Sequence, residues 1–330
     1  LLDLRNRHRP PCPPSHPFSR RRLLGAATTA LGGLAALGGC VPIATANDLL
    51  VSDDGYTQWR GITYGDHPRQ ALDVYAPDAV GRTAANAKPA RVVVFFYGGA
   101  WRSGTRDYYR FLGQALTDAG FVVVVPDYRL SPDVRFPVFN QDGAAAVRWV
   151  RDTITTYGGD PDDIVLMGHS AGAHIAALLV TDKTYLAAAG VPAAAIRGFV
   201  GLAGPYAIDP QQYRTSRPAF EGAEPPEVAI PTTHVDGHEP PMLLLHGADD
   251  RTVWPINSRT FADTVNAAGG RAAVIEYPDV AHIGILLGFS ELFRSPDGAY
   301  SDAVRFIGAS PASADASAMR ASSAASSVSA

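Results

Sequence analysis

Two continuous β-branched and aromatic runs constrain this chain most: Arg91-Val-Val-Val-Phe-Phe-Tyr97 and Phe121-Val-Val-Val-Val125, separated by helical spacing over residues 106–119. A strand that is apolar at every position has no face to turn to water. It must lie inside a sheet covered on both sides. The alternation continues along the chain. Residues 70–75, 163–167, 196–202, 242–245 and 273–277 read as further strands, and 141–153, 171–180, 256–268 and 301–307 as helices. Strand, helix, strand in repetition predicts the α/β class, a mostly parallel central sheet with helices on both faces. Ligands on such sheets bind beyond the carboxyl ends of the strands.

Composition narrows the function classes. With 46% hydrophobic and 18% charged residues, the chain is too apolar and too lightly charged to be disordered as a whole. Two cysteines exclude a disulfide scaffold and a four-cysteine zinc site. The net charge is −4, and the first 39 residues hold six Arg and one Asp, which leaves 22 basic against 31 acidic side chains in the rest. A remainder near −9 gives no electrostatic footprint for nucleic acid or for an anionic lipid surface.

Residues 1–39 read as an export signal. Arg5, Arg7 and Arg9 open a basic region, Ser19-Arg20-Arg21-Arg22-Leu23-Leu24 resembles a twin-arginine signal, and an uncharged Ala/Gly/Leu stretch runs over 23–39. Leu37-Gly38-Gly39-Cys40 resembles a lipobox, so Cys40 is expected to carry a lipid as the first mature residue. The stretch is shorter and richer in Gly than a membrane span requires. The expected location is therefore outside the cytoplasm, periplasmic or held to a membrane only by this anchor, and Val41 after the cysteine points to an outer membrane. A linker is expected over 40–48, a catalytic domain over 49–308, and a disordered Ala/Ser-rich tail over 309–330.

The chemistry-bearing residues fall at strand ends. Gly168-His169-Ser170-Ala171-Gly172 lies between a predicted strand and the helix after it. A nucleophile on a tight strand-to-helix turn needs small neighbours two residues either side, because the backbone crowds there. The amino end of the following helix favours developing negative charge. A lone serine capping a helix is the bland alternative. A serine hydroxyl needs a base, and His282 is the only histidine after His246. The acid is expected after the strand at 242–245, where Asp249 and Asp250 compete; Asp250 is preferred and Asp249 held in reserve. In Phe96-Tyr97-Gly98-Gly99-Ala100-Trp101, glycines follow the strongest strand and let backbone amides approach a substrate carbonyl. A further amide would come from Ala171, directly after the nucleophile.

Together these features resemble the α/β-hydrolases, nearest the bacterial carboxylesterases of the hormone-sensitive-lipase and feruloyl-esterase-like type. The likeness rests on Ala71-Leu-Asp-Val-Tyr-Ala-Pro77, the Tyr97–Trp101 loop, Asp127-Tyr-Arg-Leu130 with Phe136-Pro137, the Gly168–Gly172 turn, His246-Gly247 with Asp250, and His282. It implies an α/β-hydrolase fold, a Ser170–Asp250–His282 triad, and an oxyanion hole of the Gly99, Ala100 and Ala171 amides. The implied activity is hydrolysis of small or aryl carboxylic esters through an acyl-enzyme, with a small-molecule ester as partner and no metal or organic cofactor. One departure is Tyr97, where the family loop usually begins with His; its hydroxyl is expected to brace the loop in that residue's place. The Gly-Gly-x-Trp loop also resembles that of arylformamidases, which leaves amide cleavage as an alternative and a non-catalytic binding protein as a third. His234 and His238 are four apart, but the surrounding Pro231, Gly237, Pro240 and Pro241 argue against a helical metal pair. Residues 205–241 are expected to form a loop or small cap, with Trp101, Tyr206 and Trp254 as candidate pocket walls.

Overall fold

The computed structural model describes residues 54–78 and 88–309, together with Asn47 and Val51, all within the unit Ile43–Ala330. The expected export signal, Cys40, the 40–48 linker apart from Asn47, and the tail beyond residue 309 lie outside the described residues.

The described strands are β1 (Tyr56–Thr63), β2 (Ala71–Pro77), β3 (Ala90–Phe96), β4 (Val122–Pro126), β5 (Gly159–His169), β6 (Ile196–Leu202), β7 (Met242–Gly247) and β8 (Ala272–Tyr277). They form one eight-stranded sheet in the order β1-β2-β4-β3-β5-β6-β7-β8. β1 pairs antiparallel with β2, and β2 antiparallel with β4. Every pairing from β4 to β8 is parallel. Val92 to Phe96 and Val122 to Val125 are fully buried at each position. That is what apolar side chains on both pleat faces require once helices cover the sheet. The expected α/β-hydrolase architecture is present.

The helices used below are α1 (Arg110–Asp118), α2 (Val138–Thr153), α3 (Ala171–Thr181), α4 (Ile256–Ala267) and α5 (Ala299–Gly308). The helix predicted over 106–119 is split: Arg106–Tyr109 is a 3₁₀ turn capped by the Thr105 side chain, and α1 follows it. In α3 every residue from Ala171 to Thr181 is buried, as its run of Ala, Ile, Leu and Val demands. Sequence periodicity missed β1, a sheet-edge strand with only Tyr56 buried and therefore no apolar alternation to read.

From β3 the chain passes to β4 on one side, then returns to β5 on the other. The carboxyl ends of β3 and β5 thus flank a topological switch point, where the crevice of an open α/β sheet forms. The loop after β3 and the turn after β5 meet there.

Residues 205–241 form no extended loop but a series of short helical turns, Pro210–Gln212, Arg217–Phe220, Pro226–Ala229 and Pro231–His234. They are held down by aromatic packing. Phe220 lies 4.7 Å from Trp101, 5.4 Å from Phe139 and 5.5 Å from Phe136, centroid to centroid. Among the described residues no helix is long and apolar enough to cross a membrane.

Candidate active site

Ser170 sits between β5 and α3 with φ 54° and ψ −120°, a conformation an L-residue with a Cβ rarely adopts. The surrounding structure enforces it. The Ser170 amide donates to the Leu202 carbonyl of β6 at 2.9 Å, pinning the turn to the next strand. The flanking glycines are needed for space. A Cβ on Gly172 would come 2.1 Å from the Phe96 carbonyl oxygen, and one on Gly168 would come 2.4 Å from that of Gly172. Any side chain at either position would push β5, α3 and the end of β3 apart.

His282 follows β8 and Asp250 follows β7, adjacent parallel strands that end at the same level. The Ser170 hydroxyl donates to His282 Nε2 at 2.9 Å, and His282 Nδ1–H donates to Asp250 Oδ2 at 2.6 Å. A hydroxyl, an imidazole and a carboxylate therefore form one row, the arrangement that moves a proton off an attacking oxygen. The structure separates the two aspartates. Asp250 is 1% exposed, whereas Asp249 lies on the surface with its amide bonded to the Val280 carbonyl at 3.0 Å.

Asp250 is surrounded by donors. Its Oδ1 accepts from the amides of Thr252 at 2.8 Å and Val253 at 2.9 Å. Its Oδ2 faces His282 and also His246 Nε2 at 3.2 Å. Burial pushes this carboxyl up, but the bonds from His246 and His282 outweigh it and hold it well below the usual carboxylate range. His246 is fully buried. Its Nδ1 accepts from the Ser258 hydroxyl at 2.8 Å, and its Nε2–H is shared between the Val253 carbonyl at 2.8 Å and Asp250. Sequence reasoning used His246 only as part of a motif and missed this contact. Its i, i+4 spacing from Asp250 was the available signal.

The loop after β3 carries three consecutive positive φ values, Gly99 at 137°, Ala100 at 52° and Trp101 at 57°. Such a run turns successive backbone N–H groups toward one side. Gly99 is required, since a Cβ there would lie 2.1 Å from the Ser103 carbonyl oxygen. Among the described residues the amides of Gly99 and Ala100 donate to no backbone acceptor, and Ala171 is the first residue of α3, where an amide has no carbonyl four residues back within the helix. The amino end of α3 is the positive end of its dipole.

Tyr97, at the start of this loop, is held through its hydroxyl. Its hydroxyl donates to Asp127 Oδ1 at 2.7 Å and accepts from Arg69 Nη2 at 2.7 Å. The Tyr128 hydroxyl donates to the Tyr97 carbonyl at 2.7 Å, and the two rings stack at 4.8 Å. Arg106 joins the network through its bonds to Asp127 and, at 2.8 Å, to Asp73. Burial first, then Tyr128 and Asp127, push the Tyr97 hydroxyl upward, so it keeps its proton.

Two of the three expected pocket walls are corrected. Tyr206 is fully buried, stacked on Phe261 at 4.8 Å, and belongs to the core beneath α4. Trp101 is 4% exposed, with its ring packed against Phe220, His174 and Phe139. Only Trp254, 63% exposed on the segment between Asp250 and α4, is open to solvent. His234 donates Nε2–H to the Val228 carbonyl at 3.1 Å. Among the described residues no cluster of three His, Cys, Asp or Glu could hold a metal ion.

With the geometry in place, comparison with known proteins gives the family. The BD-FAE family model matches residues 72–265, more than half of the chain. The chain belongs to the BD-FAE family. The match covers Ser170, Asp250 and the 97–101 loop and stops before His282, which the fold brings to them. This BD-FAE chain is 32% identical over 263 residues to a plant protein named probable isoprenylcysteine alpha-carbonyl methylesterase ICMEL1, from Arabidopsis thaliana, covering 71% of this chain and 54% of that one. It is 31% identical over 249 residues to esterase LipC of Mycobacterium tuberculosis, covering 69% and 60%. The BD-FAE chain thus spans little more than half the length of these curated relatives. A solved truncated form of a carbohydrate esterase from gut microbiota shares the fold with a TM-score of 0.65 at 22% identity, over 78% of this chain and 98% of that one.

Proposed function

We propose that this chain is a serine carboxylic ester hydrolase acting on small or aryl esters through an acyl-enzyme. One observation carries the reading: the uninterrupted hydrogen-bonded row from the Ser170 hydroxyl through His282 to Asp250. His282 Nε2 takes the Ser170 proton as the oxygen attacks the ester carbonyl, and the amides of Gly99, Ala100 and Ala171 face the developing oxyanion. The imidazolium then gives that proton to the departing alcohol as the C–O bond breaks. Water repeats the cycle on the acyl-serine and releases the acid. The esterase names of the relatives support ester over amide cleavage.

The deciding experiment is hydrolysis of p-nitrophenyl acetate by the full chain and by Ser170→Ala. The expected result is a burst of p-nitrophenol from the parent and a loss of at least about 10³-fold in kcat in the variant. Activity that survives Ser170→Ala, or a strong preference for N-formylkynurenine over simple esters, overturns the proposal. Failure of a fluorophosphonate probe to label Ser170 would favour a binding protein on a hydrolase fold. Lipid attachment at Cys40, and with it placement at a membrane outside the cytoplasm, is proposed on the Leu37–Cys40 motif and the basic run before it. Intact mass of the mature N-terminus tests it.

A further inference from the structure

His169, the variable position of the Gly168–Gly172 motif, touches three parts of the site. Its Nε2–H donates to the backbone carbonyl of His282 at 3.0 Å, and the two imidazole rings lie 4.8 Å apart with planes tilted by 42°. Its other nitrogen, Nδ1, has no hydrogen-bond partner although the residue is only 2% exposed. That atom lies beneath the oxyanion loop: a Cβ on Gly98 would come 2.8 Å from it and 3.0 Å from Ser170 Cβ. The nucleophile's turn, the base's loop and the amide-bearing loop therefore share one buried ring.

We propose that His169 is a positioning residue, tying the nucleophile's turn to the loop that carries His282 through a bond outside the reacting row. This rests on the reading of Ser170 as nucleophile and His282 as its base. His282 lies in the irregular segment between β8 and the short helix Gly284–Leu287. Asp250 orients its ring, but a ring pivots on its own main chain, and the partner of the His282 carbonyl is His169. A ring with a buried, unpartnered nitrogen packs less favourably than a phenyl of similar shape. The imidazole is explained by the one bond it makes.

The charge state agrees with this role. His282 and Asp250 from the neighbouring loops and His246 from the end of β7 are the titratable groups facing His169. Burial first, then the nearby His282, push the His169 pKa down to about 3, against the pull of its bond to the His282 carbonyl. His169 stays neutral while His282 gains and loses its proton, so no second cation forms beside the imidazolium.

The test uses three variants of the full chain. In His169→Gln the amide nitrogen takes the place of Nε2 and reaches the carbonyl. In His169→Asn it takes the place of Nδ1 and does not, and His169→Phe keeps the ring without a donor. With p-nitrophenyl acetate, Asn and Phe are expected to lower kcat about 10–100-fold with KM within about twofold, because misplacing a catalytic group by about an ångström costs rate at this scale. Gln is expected to retain kcat within about threefold of the parent. Equal activity in Gln and Asn, or parental kcat in Phe, overturns the positioning role. If none of the three accumulates as folded protein, the side chain holds the fold and not the base, and the role is withdrawn. Failure of the underlying reading looks different: the Ser170→Ala chain then matches the parent whatever stands at 169.

Discussion

At the scale of single residues, the two adjacent aspartates show how context divides chemically identical side chains. Asp250 accepts two backbone amides on one oxygen and faces two imidazoles with the other; Asp249 carries its carboxylate into solvent. Asp250→Asn keeps the volume but replaces an acceptor with an amide that cannot hold the His282 tautomer. The expected loss is about 10³–10⁴-fold in kcat toward p-nitrophenyl acetate, whereas Asp249→Asn stays within about twofold. Equal losses in both variants would reassign the acid. The sequence narrowed the acid to this pair and preferred Asp250, without the physical ground for the preference. What ranks them is the turn after β7, where Asp250 is drawn inward by the amides of Thr252 and Val253. His246 and His169 were harder to read. One faces Asp250 from the end of a buried strand, and the other bonds a carbonyl 113 positions away. The i, i+4 spacing is a local signal for the first, but no local pattern announces the second, which is set by how the chain after β8 packs on the turn after β5.

At the scale of elements, the segment after β3 depends on support from several strands. Tyr97 is its hinge post. Its hydroxyl links Asp127 after β4 to Arg69 before β2, and Arg106 reaches from the 3₁₀ turn to the same carboxylate. Tyr97→Phe keeps the stack on Tyr109 and Tyr128 but leaves Asp127 and Arg69 short of one partner. The expected result is a fall of about tenfold in kcat with little change in KM, and about 1–3 kcal/mol less stability in urea unfolding. Unchanged kcat would mean the stack alone sets the loop. The strands that support this loop were legible in sequence because burial on both faces leaves a run of valines and phenylalanines. The edge strand β1 was not, since only its first residue is buried. The turns over 210–234 were missed for a related reason. They are held by Phe220 and by the Ala229 carbonyl on His174, contacts that leave no period in the chain.

At the scale of the whole molecule, a buried neutral imidazole makes stability depend on pH. His174 in α3 is fully buried and donates Nε2–H to the Ala229 carbonyl at 2.8 Å, so it joins the sheet's central helix to the 226–229 turn. Burial pushes its pKa down to about 4, against an ordinary value near 6.5 in the unfolded chain. Below about pH 6.5 the unfolded chain takes up a proton that the folded chain refuses, so stability falls as pH drops and the effect levels off once the folded group titrates near pH 4. The loss at pH 4.5 relative to pH 7 is roughly 2–3 kcal/mol from this residue alone. His169 acts with the same sign, and Asp250, whose folded carboxyl is held low, removes further stability only below about pH 4. The windows are therefore separable. In His174→Gln the amide keeps the bond to Ala229 but cannot titrate. Urea unfolding at pH 7 and pH 4.5 should show the parent losing about 2–3 kcal/mol more than this variant over the interval. Equal acid sensitivity in the two chains would mean that His174 is protonated without unfolding. The 226–229 turn, which His174 ties to α3 through the Ala229 carbonyl, would then have to open to solvent at mild acidity.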